Sequence, residues 1–152
     1  MKLSDAKKLA VSLIKGHGLT EWSFEFDRAV RRFGCCHFKD KKITLSSKLV
    51  ELNSEEQVTD TILHEIAHAL VGRGHGHGRV WRRQALSIGC SGARCYSNEV
   101  AQPTLKYTLT CPNCGRETKR AALRSGLACG ECCRRYNGGK YTVQYKFNVT
   151  IN

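Results

Sequence analysis

Apolar residues near the N-terminus recur at helical spacing. Ala6, Leu9, Ala10, Leu13 and Ile14 share one face, Ser4 stands in a capping position, and Gly16 and Gly18 end the pattern. Trp22, Phe24 and Phe26 then alternate with polar residues, which predicts a strand. Phe33 to Phe38 and Ile43 to Leu45, joined by Lys39–Asp40–Lys41–Lys42, predict a hairpin, so the expected sheet is short and antiparallel. From Asn53 the period returns to 3.6: Val58, Ile62, Ile66 and Leu70 form a stripe beside Leu63, Ala67 and Val71. Asn53 and Glu56 suggest a capping box, and Gly72 a stop. A third helix is expected from about Gly78 to Ile88, burying Trp81, Ala85 and Leu86, and Pro103 marks a boundary.

The chain has 152 residues, room for one ordinary domain, or for one small domain and a metal-stapled appendage, but not for a large multidomain enzyme. It carries a formal charge of +12, of which residues 103–152 hold +7 with nine basic and two acidic side chains. An excess of that size at one end favours a polyanionic partner. Neither a membrane span nor a signal peptide is expected, because Asp5, Lys7, Lys8 and Lys15 interrupt the N-terminal apolar face. Nine cysteines in a chain read as cytoplasmic, and as nucleoid-associated if bacterial or viral, point to metal binding more than to disulfides.

The second helix contains His64-Glu65-Ile66-Ala67-His68. Residues four apart stack on one face, so both imidazoles can reach one Zn²⁺ while Glu65 swings beside the open coordination site. There the metal would bring the pKa of a bound water towards ~7, and the carboxylate would take its proton as the oxygen attacks a carbonyl. A catalytic zinc usually has three protein ligands. The metzincin pattern is excluded by Val71 and Gly74 at its glycine and histidine positions. His77, His75 and Glu99 remain as candidates. The last two read first as a solvent-exposed loop histidine and a surface carboxylate, and only second as ligands.

The run HEIAHALVGRGHGHGRVW resembles the zinc-site signature of the SprT-like metallopeptidases, the group that includes the Spartan DNA–protein crosslink proteases: an HExxH helix, a variable loop, then His-Gly-x-x-aromatic. The second motif falls on His77, Gly78 and Trp81. The resemblance covers roughly residues 1–100 and implies His64, His68 and His77 as ligands with Glu65 as the catalytic carboxylate. Arg79 stands where many relatives have proline. No counterpart of the long Spartan tail is seen, so its recruitment to replication machinery is not carried over.

Cys111-Pro-Asn-Cys114 and Cys129-Gly-Glu-Cys132 are two CxxC knuckles at zinc-ribbon spacing, able to close a structural Cys₄ cage, with Cys133 a poorer substitute for Cys132. Many SprT-like proteins also end in such a ribbon. Around it Arg116, Lys119, Arg120, Arg124, Arg134 and Arg135, with Lys106, Lys140 and Lys146, are interleaved with Tyr107, Tyr136, Tyr141 and Tyr145. That composition suits nucleic acid, single-stranded DNA being one candidate, although Tyr141 and Tyr145 alternate with Val143 as strand residues would. Cys35, Cys36, Cys90 and Cys95 lack knuckle spacing and read as inert buried thiols.

The expected class is α+β: a minimal zincin-type metallopeptidase domain over residues 1–103, its HExxH helix packed on a small antiparallel sheet, then a basic β zinc ribbon over residues 104–152. The expected activity is zinc-dependent endopeptidase action on DNA-associated or crosslinked protein, with two zinc ions, no organic cofactor and no membrane partner. The rival is a non-catalytic zinc-containing DNA- or RNA-binding module.

Overall fold

The computed structural model describes residues 1–94 and 100–152; the candidates Cys95 and Glu99 lie outside the described residues. The chain divides into two units, Met1–Pro103 and Thr104–Asn152, and the class is α+β. No described helix is long and apolar enough to cross a membrane.

In the first unit α1 (Leu3–Gly16) buries Ala6, Ala10 and Ile14 against α3 (Glu55–Val71) and β1 (Ser23–Asp27). Lys2 holds the cap position, and the Ser4 hydroxyl, already inside the helix, bonds Asp5 instead. Strands β1 (Ser23–Asp27), β2 (Gly34–His37) and β3 (Lys42–Ser46) form a sheet in the order β1-β3-β2. The β2–β3 hairpin is antiparallel, as expected, but β1 runs parallel to β3. Alternation of side chains reports which face is buried and is silent about strand direction. Direction here follows from the loop between β1 and β2, which is clasped to the end of β3. Ser46 N–H donates to Phe33 O at 2.7 Å, and Ser46 Oγ donates to Ala29 O at 2.6 Å. Burial alone would raise the Asp27 carboxyl, yet the Ala29 N–H, the Thr44 hydroxyl and Arg32 together hold it below its ordinary value.

One sheet face carries Phe24, Ile43 and Leu45, with Gly34 in register beside Leu45 and Cys36 beside Ile43. Helix α3 (Glu55–Val71) packs on β2 and β3. Its capping box is Ser54 with Gln57, one residue later than the pattern suggested. Asn53 is displaced from that role because a short helix, α2 (Ser47–Leu52), precedes it. The buried Asn53 amide donates to Leu49 O and Ala101 O, and its oxygen accepts from Ala101 N–H. Helix α4 (Arg79–Ser87) buries Trp81 and Ala85 against α3, whereas Leu86, expected inside, is 54% exposed. Leu86 lies nearly opposite Trp81 around a 3.6-residue turn.

The second unit is a sheet in the order β5 (Glu117–Arg120), β4 (Tyr107–Thr110), β6 (Asn148–Ile151), antiparallel throughout, with one short helix, α5 (Gly130–Tyr136). Its buried cluster consists of Cys111, Cys129, Cys132, Cys133 and Tyr145. The expected strand through Tyr141, Val143 and Tyr145 is a 3₁₀ turn over Val143–Tyr145 that buries only Tyr145. Side chains separated by two residues diverge in such a turn.

Candidate metal centre

Helix α3 places His64 and His68 one turn apart. Gly72 ends the helix with φ 79°, and Gly74 and Gly76 take φ 90° and 48° in the loop that follows. Those left-handed conformations fold the chain back over α3. His77 is thereby returned to the helix: its Nε2 lies 2.9 Å from that of His64 and 3.1 Å from that of His68. His75, on the same loop, is exposed and outside the cluster.

Trp81 forms the floor. It stacks on His68 at 5.2 Å and 25°, meets His77 edge-on at 4.7 Å, and donates its indole N–H to His64 O at 3.4 Å. The His64 ring also donates to the Ala93 carbonyl. Asp60, one turn before His64, holds that segment by accepting from Ser91 N–H at 2.6 Å and from the Ser91 hydroxyl at 2.8 Å. Imidazole ligands are commonly oriented through their second nitrogen in this way. The Asp60–Ser91–Ala93 link could not be read in advance, because it depends on a loop returning from the far end of α4.

Burial, with His68 and His77 alongside, brings His64 down to about 4. Burial and His77 bring His68 to about 4, and burial and Arg94 lower His77. All three imidazoles are therefore neutral at pH 7, with nitrogen lone pairs available to a cation. Zn–N bonds of ~2.0–2.1 Å in a tetrahedron separate their nitrogens by about 3.3 Å, close to the observed contacts, so the donor set fits such an ion. In the second unit the Cys111–Cys132 and Cys114–Cys129 sulfurs are each 3.8 Å apart. That is the separation of about 3.8 Å that Zn–S bonds of ~2.3 Å impose. Cys133 is buried beside this group without belonging to it.

Glu65 is 5% exposed, and burial pushes its carboxyl up to about 7 against the opposing effects of Arg32 and the Cys36 N–H. It sits against Gly34, where a side chain would collide with it. A glycine inside a strand is the sequence sign of such a close approach. Glu65 and the three histidines line a cleft of about 870 Å³, with Cys36, Phe38 and Arg94 on its walls. Cys35 and Cys36 are half-buried, so among the described residues the expectation of buried thiols holds for Cys90 alone.

Of the six basic residues named around the ribbon, Arg116 and Arg135 line one small cavity with Glu131 and Tyr136, whereas Lys119 and Arg120 point to different sides of their strand. Arg116 pairs with Glu131. Arg124 is exposed in the turn that follows. Arg134 and Arg135 lie on α5, where the Arg135 guanidinium sits 5.6 Å from the ring centre of Tyr136, itself 57% exposed.

The sequence model of the SprT-like family matches residues 6–104. Among curated proteins the chain is similar to the Germ cell nuclear acidic-1 protein of Caenorhabditis elegans, with 30% identity over 133 residues. The match covers 77% of this chain and 24% of that protein, so the chain spans about a quarter of its relative's length. With the family match extending over most of the first unit and carrying the HExxH helix, this chain belongs to the SprT-like family.

Proposed function

We propose that the protein is a zinc-dependent endopeptidase that cleaves proteins held on DNA, with the Cys₄ ribbon assisting nucleic-acid binding. The observation that carries this reading is the convergence of three neutral imidazole nitrogens beside a buried carboxylate in an open cleft. A structural metal site has no use for Glu65 or for an open face.

Zinc held by His64, His68 and His77 would supply a Lewis acid that polarises the scissile carbonyl and acidifies a water. Glu65 accepts the proton of the attacking water at its carboxylate and returns it to the departing amine, a task suited to a group that titrates near neutrality. Gly34 and the Cys36 N–H fix that carboxylate in place. Strand β2 is the terminal strand of its sheet and lines the cleft, so an extended substrate can add to it in strand fashion. Support for the DNA step comes from the +7 charge of residues 103–152 and from Arg134, Arg135 and Tyr136 on α5.

The test is incubation of the full chain with a protein bound to a single-stranded oligonucleotide, with and without a zinc chelator. Discrete fragments that disappear on chelation and return with added zinc are expected. Stable binding without cleavage under any condition would favour the non-catalytic module.

A methyl group at Gly34 would lie 2.7 Å from Glu65 Oε1 and 2.8 Å from its Cγ. Gly34→Ala should therefore displace the carboxylate. An ångström-scale misplacement of a catalytic group costs about 10²-fold in rate, while overpacking costs ~1–3 kcal/mol of stability. Peptide hydrolysis should fall by about that factor with zinc content unchanged; a rate equal to the parent's would show that Gly34 does not position Glu65.

A further inference from the structure

Residues 61–102 contain five arginines and no lysine, and their two acidic residues are Glu99 and Glu65, the latter buried. Three of the five, Arg79, Arg82 and Arg83, lie on α4, which starts two residues after His77. At 3.6 residues per turn they occupy a single outward stripe opposite Trp81 and Ala85, and all three are exposed. Among the described ion pairs none involves these residues or Arg94, which lines the cleft.

Within the helix this arrangement is unfavourable. Like charges at i, i+3 and i+4 repel. The first turn of α4 holds Arg79 and Arg82 and no acidic residue, so cations stand at the positive end of the helix dipole. Gly78 provides no side-chain cap. A stripe that opposes the stability of its own helix becomes favourable once an external anion covers it.

We propose that this face of α4 is a second nucleic-acid contact surface, located on the catalytic unit beside the metal centre and separate from the ribbon. The inference rests on the proposed function for the identity of the polyanion. Exclusive use of arginine suits phosphate, which guanidinium groups grip through paired hydrogen bonds. From Arg79 to Arg83 the helix rises ~6 Å, about two steps of the ~3.4 Å phosphate repeat along a strand. Arg82 lies against the loop at Gly92, two residues before Arg94, so the stripe continues towards the cleft. A protein attached to nucleic acid bound there would be held on the same unit as Glu65, with Arg94 continuing the basic surface into the cleft.

The test measures binding of a single-stranded oligonucleotide by the full chain across a salt series, for the parent and for Arg82→Gln/Arg83→Gln. Each lost phosphate contact removes ~0.7 from the slope of log K against log salt on single strands. The double variant should therefore bind on the order of tenfold more weakly, with a slope shallower by about 1.4. Its thermal unfolding should stay equal to the parent's or rise, because the repulsion is relieved, and Arg82→Lys/Arg83→Lys should keep most of the slope. An unchanged slope would overturn the proposal, as would a loss confined to polyglutamate, which would make the surface a site for an acidic protein. Cleavage plays no part in this readout, so its failure is distinguishable from failure of the peptidase reading.

Discussion

Glu65→Gln is expected to keep the fold and the metal and to lose peptide-bond hydrolysis by about 10²–10⁴-fold, the contribution of a positioned general base. The amide has nearly the shape of the carboxylate, so it fits the space between α3 and Gly34 and still accepts from the Cys36 N–H. It cannot take a proton from water. Burial already makes the charged form of Glu65 costly, which is why its pKa stands at about 7. A neutral side chain there should leave thermal stability equal or slightly higher. Rates on a peptide, with zinc content and unfolding measured on the same preparation, separate chemistry from structure. Hydrolysis at the parental rate would remove Glu65 from the mechanism.

Cys132→Ser should unfold the second unit while leaving the first intact. The buried cluster of the second unit is made of Cys111, Cys129, Cys132, Cys133 and Tyr145, with Ala128 and Phe147 partly buried around it. Apolar burial on that scale does not hold a unit of this size together. Structural zinc in small finger peptides contributes ~10–16 kcal/mol of apparent binding free energy that is at the same time folding free energy. Loss of one of four thiolates should abolish most of it. Amide hydrogen exchange should show protection lost over residues 104–152 and retained over residues 1–94. Cys133→Ser is the control: that thiol is 5% exposed but outside the sulfur group. The change should cost ~1–3 kcal/mol as a buried polar replacement and leave zinc in place. Protection retained in Cys132→Ser would show that the fold does not depend on a metal at these sulfurs.

Features carried by short spacings were the most legible. His64 and His68 are four apart on a helix whose apolar stripe is unbroken over several turns, and the two CxxC pairs each occupy one turn, so both groups could be named without long-range information. The loop ligand was harder. His75 and His77 flank the same glycine, and only the left-handed conformations of Gly74 and Gly76 decide which of them returns to α3. The direction of β1 was not legible, because Phe24 and Phe26 bury the same face whether the strand runs up or down. Nor was the role of Asn53, which reads as a helix cap but is taken by Leu49 and Ala101, the latter 48 residues away. The basic residues of the ribbon looked like one patch in the sequence because order along the chain conceals the pleat, which turns Lys119 and Arg120 to opposite faces. The common stripe of Arg79, Arg82 and Arg83 was masked by Leu86, which was expected inside but is 54% exposed and lies on the same side of α4 as the arginines.

Zinc content per chain, measured by elemental analysis on the parent and on His77→Ala, tests most directly whether the histidine cluster is a metal centre. The proximity of the three Nε2 atoms and of the four sulfurs predicts about two ions in the parent and about one in His77→Ala, with hydrolysis lost and the ribbon ion retained. Two ions in both proteins would contradict a site completed by His77, and a single ion in the parent would leave the histidines without a metal and the peptidase without its centre.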